Sequence, residues 1–320
     1  MLLLELTKTS VKMTTKSIIK LFLLITSISF SQNEMKVLPA FEELTRYQNI
    51  RDLTISAKQD EVYFSIQNTS EDRAVIAVMK KKNNIWQKPE ITSFSGKFRN
   101  IEPFLSSDGL RLYFASNRPL ENEDITPKDY DIWYVQRKNI NSDWSKPINI
   151  GAPVNSKNDE FYPCVTLSGN LYFTSDAVKS HGKDDILISK WDGKQYLEPE
   201  NLGLKVNSAG YEFNAFVSPN ETFIIYTCYG KEDGFGSGDL YISYKDKNGN
   251  WDYPKNLGID VNSKQMDYCP FYDTCTQILY FTSKRIEPSQ KEFKSLTEFE
   301  TEITKYENGL SRIYKTNIKL

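Results

Sequence analysis

Residues 160–208 read EFYPCVTLSGNLYFTSDAVKSHGKDDILISKWDGKQYLEPENLGLKVNS, and most of this pattern recurs along the chain. It starts with an acid three residues before a proline, continues through Leu-Tyr-Phe and Asp-Ile-Leu, and ends with Asn-Leu-Gly and Val-Asn-Ser. Short apolar runs separated by Gly, Asn, Asp, Ser and Pro are typical of β-strands joined by turns. The stretch therefore predicts one repeating unit of about four short strands.

The clearest landmark of the repeat is an apolar-aromatic triplet, which occurs five times at intervals of roughly 50 to 60 residues. The triplets are Val62-Tyr63-Phe64, Leu112-Tyr113-Phe114, Leu171-Tyr172-Phe173, Ile224-Ile225-Tyr226 and Leu279-Tyr280-Phe281. A unit of this length cannot bury both faces of its sheet alone, whereas a ring of such units buries them against neighbours and leaves only short edges. The sequence therefore predicts an all-β fold, a single β-propeller of four-stranded blades. Five blades are expected, and six would require a degenerate blade.

The two ends of the chain are predicted to meet in the last blade. The repeats cover about 46–97, 98–156, 157–208, 209–263 and 264–317, and the fifth stops before its fourth strand. Val37-Leu38-Pro39 fits the missing position, so we expect the N-terminal strand to complete the last blade.

The last repeat carries an insertion at about 287–306. Apolar residues recur there at steps of three and four, which predicts an amphipathic helix; they are Phe293, Leu296, Phe299, Ile303 and Tyr306. We expect its apolar face to pack on the propeller rim, and docking to a partner is the alternative.

Residues 1–31 read as a signal peptide. Lys16 and Lys20 precede a short apolar run, and small residues follow it; Met13 is an alternative start. The run is much shorter than the roughly 20 residues that a membrane span needs. The prediction is an exported domain over residues 32–320, periplasmic or extracellular, with no transmembrane segment.

Composition excludes some classes of function. The chain has 40 basic and 42 acidic residues, a formal net charge of -2, which disfavours a nucleic-acid binder that works through bulk charge. His181 is the only histidine, so a multi-histidine zinc site is excluded. The four cysteines have no zinc-like or redox spacing, and we expect mostly buried free thiols; they are Cys164, Cys228, Cys269 and Cys275.

The order of the motifs resembles the WD40-like propeller repeats of TolB-type proteins of bacterial envelopes. That order runs from acid-x-x-Pro through Leu-Tyr-Phe and Asp-Ile or Asp-Leu to Trp-x-x-Pro, Asn-Leu-Gly and Val-Asn-Ser. The resemblance covers about residues 37–317 and implies a propeller in an envelope, in which such repeats serve as interaction modules or accompany unrelated enzymes. The chain departs from the pattern at Arg73 and Arg312, where other repeats have Asp131, Asp185 and Asp239.

Five polar residues three positions before the proline, or its equivalent, are the candidate site. They are Asn49, Asn100, Glu160, Glu212 and Asp267. The first strand of a propeller blade lines the central channel, so these side chains are predicted to converge at one channel mouth and bind a ligand. Oxygen ligands of this kind suit Ca²⁺, although no cofactor is expected. The structural alternative is that each acid accepts hydrogen bonds from the adjoining Val-Asn-Ser turn.

The catalytic alternative uses Glu160, Glu212 and Asp267 as the acids of a glycosidase, which needs one protonated and one ionised carboxyl group. Trp133 and Trp191 fall outside the recurring Trp-x-x-Pro positions and are candidates for sugar or peptide contacts.

We expect an exported, non-enzymatic β-propeller that serves as a protein- or ligand-binding scaffold in the bacterial cell envelope. It is expected to be a monomer whose partner is an envelope protein, a peptide or a glycan, and not a nucleic acid. The alternative is a glycan-binding or glycoside-hydrolase-like propeller that uses the channel-mouth carboxylates.

Overall fold

The computed structural model describes residues 36–121, 125–176, 181–289 and 291–320, and the regular secondary structure of these ranges is nearly all β. Five antiparallel sheets form the blades of a five-bladed β-propeller, which confirms the predicted fold class. The innermost strand of each blade contacts that of the next, and the fifth contacts the first, so the ring is closed. The predicted signal peptide, residues 1–31, lies outside the described residues. Within the described ranges, no helix has the length and apolarity to cross a bilayer.

Each blade is a meander whose first strand lies at the propeller axis. Blade one contains β2 (Ile50–Ile55), β3 (Glu61–Gln67), β4 (Ala74–Lys82), β5 (Ile85–Trp86) and β6 (Glu90–Ile91). Blade two contains β7 (Asn100–Leu105), β8 (Arg111–Ser116), β9 (Asp131–Gln136) and β10 (Ile148–Asn149). Blade three contains β11 (Glu160–Val165), β12 (Leu171–Ser175), β13 (Asp185–Ser189) and β14 (Glu200–Asn201). Blade four contains β15 (Tyr211–Val217), β16 (Phe223–Tyr229), β17 (Gly238–Tyr244) and β18 (Lys255–Asn256). Blade five contains β19 (Asp267–Asp273), β20 (Ile278–Ser283), β21 (Arg312–Asn317) and the N-terminal strand β1 (Leu38–Pro39).

The predicted closure of the ring is confirmed. Strand β1 pairs antiparallel with β21, with Leu38 opposite Lys315 and Pro39 opposite Tyr314. The amide of Ala40 continues the pairing by donating to the carbonyl of Ile313 at 2.9 Å. The fourth strand of the last blade is therefore supplied by the other end of the chain.

The apolar-aromatic triplets form the core between blades. In blade three, Leu171, Tyr172 and Phe173 are at most 1% exposed. Both faces of a middle strand are covered by neighbouring blades, so the strand is apolar throughout and does not alternate. Each such side chain contributes about 1.5–3 kcal/mol when fully buried.

The Asn-Leu-Gly and Val-Asn-Ser motifs hold the outer strand of a blade. In blade three the Asn207 carboxamide accepts from the amide of Ile186 at 2.9 Å and donates to the carbonyl of the same residue and to Asn201. Asn201 donates to the Asp185 carboxylate at 2.6 Å. The same triads occur in blades two and four; they are Asn155, Asn149, Asp131 and Asn262, Asn256, Asp239. The recurrence of these residues is thus explained by the fold.

The Gly-rich loop before β17 also has a structural role. The amides of Phe235 and Gly236 donate to the Asp239 carboxylate at 2.6 and 3.0 Å. A Cβ at Gly236 would lie 2.0 Å from the carbonyl oxygen of Gln265, so only glycine fits against the next blade. The loop therefore binds a carboxylate of its own chain.

The inserted helix α1 (Leu296–Ile303) is shorter than the predicted span of 287–306. Ser295 caps its N-terminus by accepting from the amide of Glu298 at 3.2 Å. None of its residues is buried, and Leu296, Phe299 and Ile303 are exposed. The expectation that the apolar face packs on the rim is therefore wrong for the helix itself, and among the described aromatic rings that of Phe299 contacts only the nearby Phe293, at 5.4 Å. Tyr306, the last residue of the predicted face, lies beyond the helix and does pack on blade five, with its ring centre 5.2 Å from that of Tyr314.

Candidate functional site at the propeller axis

Every innermost strand carries a β-bulge at the same point. The extra residue of each bulge has a left-handed backbone, with φ between 49° and 61°; the five are Asp52, Glu102, Tyr162, Asn214 and Cys269. Left-handed conformations are uncommon for residues other than glycine, and bulges of this kind redirect side chains. Here they bring polar side chains of all five blades together at the axis.

The hydroxyl that follows the apolar-aromatic triplet secures most of these bulges. The amide of Asp52 donates to Thr282 of blade five, and that of Asn214 donates to Thr174 of blade three, both at 3.1 Å. Blade two has Ala115 at this position, and the amide of Tyr162 donates instead to the Glu102 carboxylate at 2.7 Å. A carboxylate at the axis thus takes the place of a missing hydroxyl.

The five bulge residues and Arg51 form what we call the axial cluster, and Arg51 is its cation. Its guanidinium donates to Asp52 at 2.6 Å and to Glu102 at 2.7 Å, and it lies 5.1 Å from the ring centre of Tyr268. Charge-assisted hydrogen bonds of this type are among the stronger ones in proteins. Two buried carboxylates therefore share one buried guanidinium.

The remaining axial groups complete the network. The Cys269 thiol donates to Asp52 at 2.8 Å, and Asn214 donates to Glu102 at 3.3 Å. The Tyr162 hydroxyl crosses to the carbonyl of Pro270 at 3.0 Å. Each blade thus supplies at least one member of a network that joins the innermost strands.

Burial sets the protonation of these groups. It raises the pKa of Glu102 to about 7; the positive charge of Arg51 opposes this shift, and the negative charge of Asp52 adds to it. Burial, together with the neighbouring Asp52 carboxylate, also raises the pKa of the Cys269 thiol well above its ordinary value. The thiol is therefore a hydrogen-bond donor here and is not a nucleophile.

A cavity of about 230 Å³ lies at one end of the axial cluster. Its lining includes Arg51, Glu102 and Asn214 together with apolar and aromatic groups; these are Ile101, Phe161, Phe213, Met266 and Tyr268. Thr174, Arg99 and Asp184 complete the lining, and neither Arg99 nor Asp184 forms an ion pair among the described residues. A concave site with apolar walls and a few polar groups is typical of ligand-binding pockets.

The three acids predicted from the sequence are held by their own turns. Glu160 accepts from the hydroxyl and the amide of Ser156 at 2.6 and 3.1 Å, and Glu212 accepts from the same groups of Ser208 at 2.7 Å. Asp267 accepts from Ser263 and, at 3.0 Å, from Arg285. The contacts with the three serines are those that the structural alternative predicts, in which each acid accepts hydrogen bonds from its adjoining Val-Asn-Ser turn.

The two predicted amides are also engaged separately. Asn100 accepts from Arg118 at 2.7 Å, and Asn49 donates to the carbonyl of Asn68 at 2.8 Å. Asn49 is one residue out of register, since Ile50 is the residue that pairs at the position of Glu160. No hydrogen bond in the described part of the chain joins any of the five predicted residues to another, and their role in ligand binding stays a prediction.

The cysteines and tryptophans singled out in the sequence differ in exposure. All four cysteines are free, three of them buried. Trp133 is only 5% exposed, so its assignment to sugar or peptide contacts is wrong, whereas Trp191 is 37% exposed. In the described ranges, no three His, Cys, Asp or Glu side chains are grouped so as to hold a metal ion.

The chain is similar in fold to several solved structures. One is the alpha-L-arabinofuranosidase PaAbf62A from Podospora anserina, with 10% identity and a TM-score of 0.52 over 88% of this chain and 96% of that one. Another is the endo-arabinase from Bacteroides thetaiotaomicron VPI-5482, with 13% identity and a TM-score of 0.53 over 88% of this chain and 97% of that one. Likenesses at such identities show a shared fold.

TolB from Acinetobacter baumannii is also among the similar structures, with 12% identity and a TM-score of 0.46. The match covers 84% of this chain and 54% of that one, so this chain spans about half the length of that TolB. No protein-family model matches the chain, and no curated protein matches it in sequence.

Proposed function

We propose that this protein is a non-enzymatic binding propeller of the bacterial envelope, which is exported and presents its axial pocket to a peptide segment of a partner. The rigid ring forms the pocket before a partner arrives, which lowers the entropy cost of binding.

The observation that carries this proposal is that hydrogen-bond donors of the protein already occupy the two axial carboxylates, Asp52 and Glu102. Asp52 accepts from Arg51, from the Cys269 thiol and, at 3.1 Å, from the amide of Glu102. Glu102 accepts from Arg51, Asn214 and the amide of Tyr162. A general acid or base must exchange a proton with its substrate, and both groups are instead occupied by protein donors.

The pocket rim supports a peptide ligand. Arg99 and Asp184 supply one positive and one negative charge beside apolar walls that include Phe161 and Phe213. Peptides offer both backbone polar groups and side chains of either charge, which this combination matches.

The test is capture from an envelope extract of the source cells. The wild-type protein is compared with the double variant Arg99→Gln/Asp184→Asn and with Lys190→Gln/Glu200→Gln. The second variant removes an exposed ion pair of blade three, so it makes the same change in charge away from the pocket. A polypeptide retained by the wild type and by the Lys190/Glu200 variant, but not by the rim variant, supports the proposal. Equal retention by all three proteins contradicts it.

Glycoside hydrolysis is the second candidate function. It is favoured by the pKa of Glu102, which lies near neutrality at the base of a pocket, as is typical of a general acid. Similar solved structures include an endo-arabinase. We expect no turnover of aryl glycosides or arabinan. Turnover that is abolished in Glu102→Gln, in a variant that still folds, would establish the enzyme and overturn the first proposal.

A further inference from the structure

The outer hairpin of a blade normally contains a cation over an aromatic ring. Lys81 lies 4.7 Å from the ring centre of Trp86, and Lys245 lies 4.8 Å from that of Trp251. Blade two has the equivalent contact of Arg137 with Trp144 at 4.5 Å. The fold therefore uses this pair to cover the outer aromatic ring.

Blade three departs from this pattern. Trp191 pairs with Tyr196 across the hairpin. It therefore occupies the position that Lys81 has in blade one and Lys245 in blade four. Its indole meets the Tyr196 ring edge-to-face at 5.0 Å and is 37% exposed. Because other blades fill this position with a cation, the propeller does not require an exposed tryptophan here.

Trp191 is held in place by its surroundings. Its amide donates to the Asn170 side chain at 3.0 Å. A Cβ at Gly169 would lie only 3.0 to 3.2 Å from the Trp191 side chain, so the side chain packs closely on that turn. The aromatic surface is therefore formed before any ligand binds.

A cleft of about 280 Å³ separates this hairpin from blade two. Tyr113, Tyr134 and Ile150 line it on the blade-two side, and Trp191 and Tyr196 line it on the other. This volume is close to the lower end of the range for small-molecule sites. Trp191, Lys194 and Gln195 are exposed, so the outer edge is open to a chain that continues beyond the cleft.

The charged side chains that line the cleft are both cations. Arg111 and Lys194 line it, no acidic residue does, and neither cation forms an ion pair in the described part of the chain. Arg111 lies 5.4 Å from the ring centre of Tyr134, which presents its guanidinium beside the aromatic surface. Arginine is suited to bidentate contact with a carboxylate.

We propose that this cleft binds an acidic polysaccharide through a uronic-acid residue. The apolar face of the sugar ring stacks on Trp191, its carboxylate pairs with Arg111 and Lys194, and the Gln195 amide bonds to a hydroxyl. An open-edged cleft that offers ring stacking, unpaired cations and a free amide suits one unit of a sugar polymer better than a peptide. The site lies between blades two and three, apart from the axial pocket, and does not depend on the function proposed for that pocket.

The test uses oligosaccharides of galacturonic, glucuronic, mannuronic and guluronic acid, each paired with its methyl-esterified form. Binding is measured by tryptophan fluorescence and calorimetry. We expect at least one acid form to bind and its ester to bind far more weakly. Arg111→Gln should weaken binding about tenfold, because it removes an anchor residue of the site. Lys81→Gln, which makes the same change in charge on blade one, should leave binding unchanged.

A second variant separates ring stacking from charge. Trp191→Lys restores the cation-aromatic pair of the other blades, so it should fold with the wild-type Tm. We expect it to bind the acid form about tenfold more weakly, although it adds a positive charge. Stronger binding by Trp191→Lys would indicate simple charge attraction and overturn the proposal. So would an acid series that binds no better than its esters, or a peptide as the only ligand lost in Arg111→Gln.

Discussion

Glu221 of blade four accepts a hydrogen bond from the Tyr172 hydroxyl of blade three, with the two oxygens 2.8 Å apart. The same carboxylate accepts from four further groups; they are the side chains of Thr166, Ser168, Asn170 and Lys245. Four of its five donors belong to blade three. Burial acts to raise the pKa of this carboxyl group, but the hydrogen bonds outweigh it and lower the pKa to about 2.

Replacing Glu221 with Gln should destabilise the protein by about 1–2 kcal/mol, because an amide cannot accept all five hydrogen bonds. The free energy of unfolding in urea at pH 7 measures this loss. Glu198→Gln, at an exposed position, is the control and should be neutral. Since the folded pKa lies below the ordinary 4.5, the contribution of Glu221 is present above about pH 4.5 and is lost as the pH falls toward 2. Equal stability of the two variants at pH 7 would contradict this role.

The inner-strand acids should make the protein less stable at alkaline pH. Burial raises the pKa of Glu102 and of Glu160 to about 7, and it also raises those of Glu212 and Asp267. At a pH between the ordinary and the folded pKa of such a group, the folded state binds more protons than the unfolded state. The free energy of unfolding therefore falls as the pH rises from about 4.5 through 7. We expect a lower free energy of unfolding at pH 8 than at pH 5. Glu160→Gln should reduce that difference and Glu198→Gln should not; a stability that rises over this range would refute the effect.

Asn207→Ala should destabilise blade three by about 2–4 kcal/mol, since it leaves the amide and carbonyl of Ile186 buried without their partner. Chemical denaturation measures the change. Asn248→Ala, an exposed asparagine of blade four, should be within experimental error of the wild type. A similar loss in both variants would mean that the hydrogen bonds of Asn207 contribute nothing specific.

Gly236→Ala should lower stability by about 1–3 kcal/mol or prevent folding, because the new methyl group would overlap the backbone of Gln265. Ser237→Ala, next to it and exposed, is the matched control and should be neutral. Circular dichroism melting distinguishes the two. An unchanged Tm for Gly236→Ala would show that the neighbouring turn can move away.

Added Ca²⁺ should leave the Tm unchanged. The carboxylates of Glu160, Glu212 and Asp267 are already occupied by Ser156, Ser208 and Ser263. A ligand that binds only the folded state raises the Tm with its concentration, so scanning calorimetry across a Ca²⁺ titration is a direct test. A Tm that increases with Ca²⁺ would restore the predicted ion-binding ring.

The fold was predictable because its determinants recur. The triplets form the core, the Asn motifs hold the outer strands by hydrogen bonds, and both appear in the sequence at regular intervals. The closing strand was predictable for the same reason, since a fifth repeat without its last strand implies that another segment supplies it.

The axial cluster was not predictable, because its members share a position and not a residue type. Asp52, Glu102, Tyr162, Asn214 and Cys269 have no common chemistry, and only the bulge brings them together. One signal was present: each lies directly before the proline of the repeat or before the residue that replaces it. Blade one has Leu53 in place of the proline, so the sequence offers no proline there from which to count three residues back. The predicted residue, Asn49, is for this reason one position out of register.

The seam between β1 and β21 places the earliest and the latest synthesised strands of the ring side by side. Strand β1 is synthesised long before β21, so the fifth blade cannot be completed until β21 has left the ribosome. Linking β21 directly to β1 and opening a surface turn elsewhere would make these two strands a hairpin, so that the four strands of the last blade would pair in chain order.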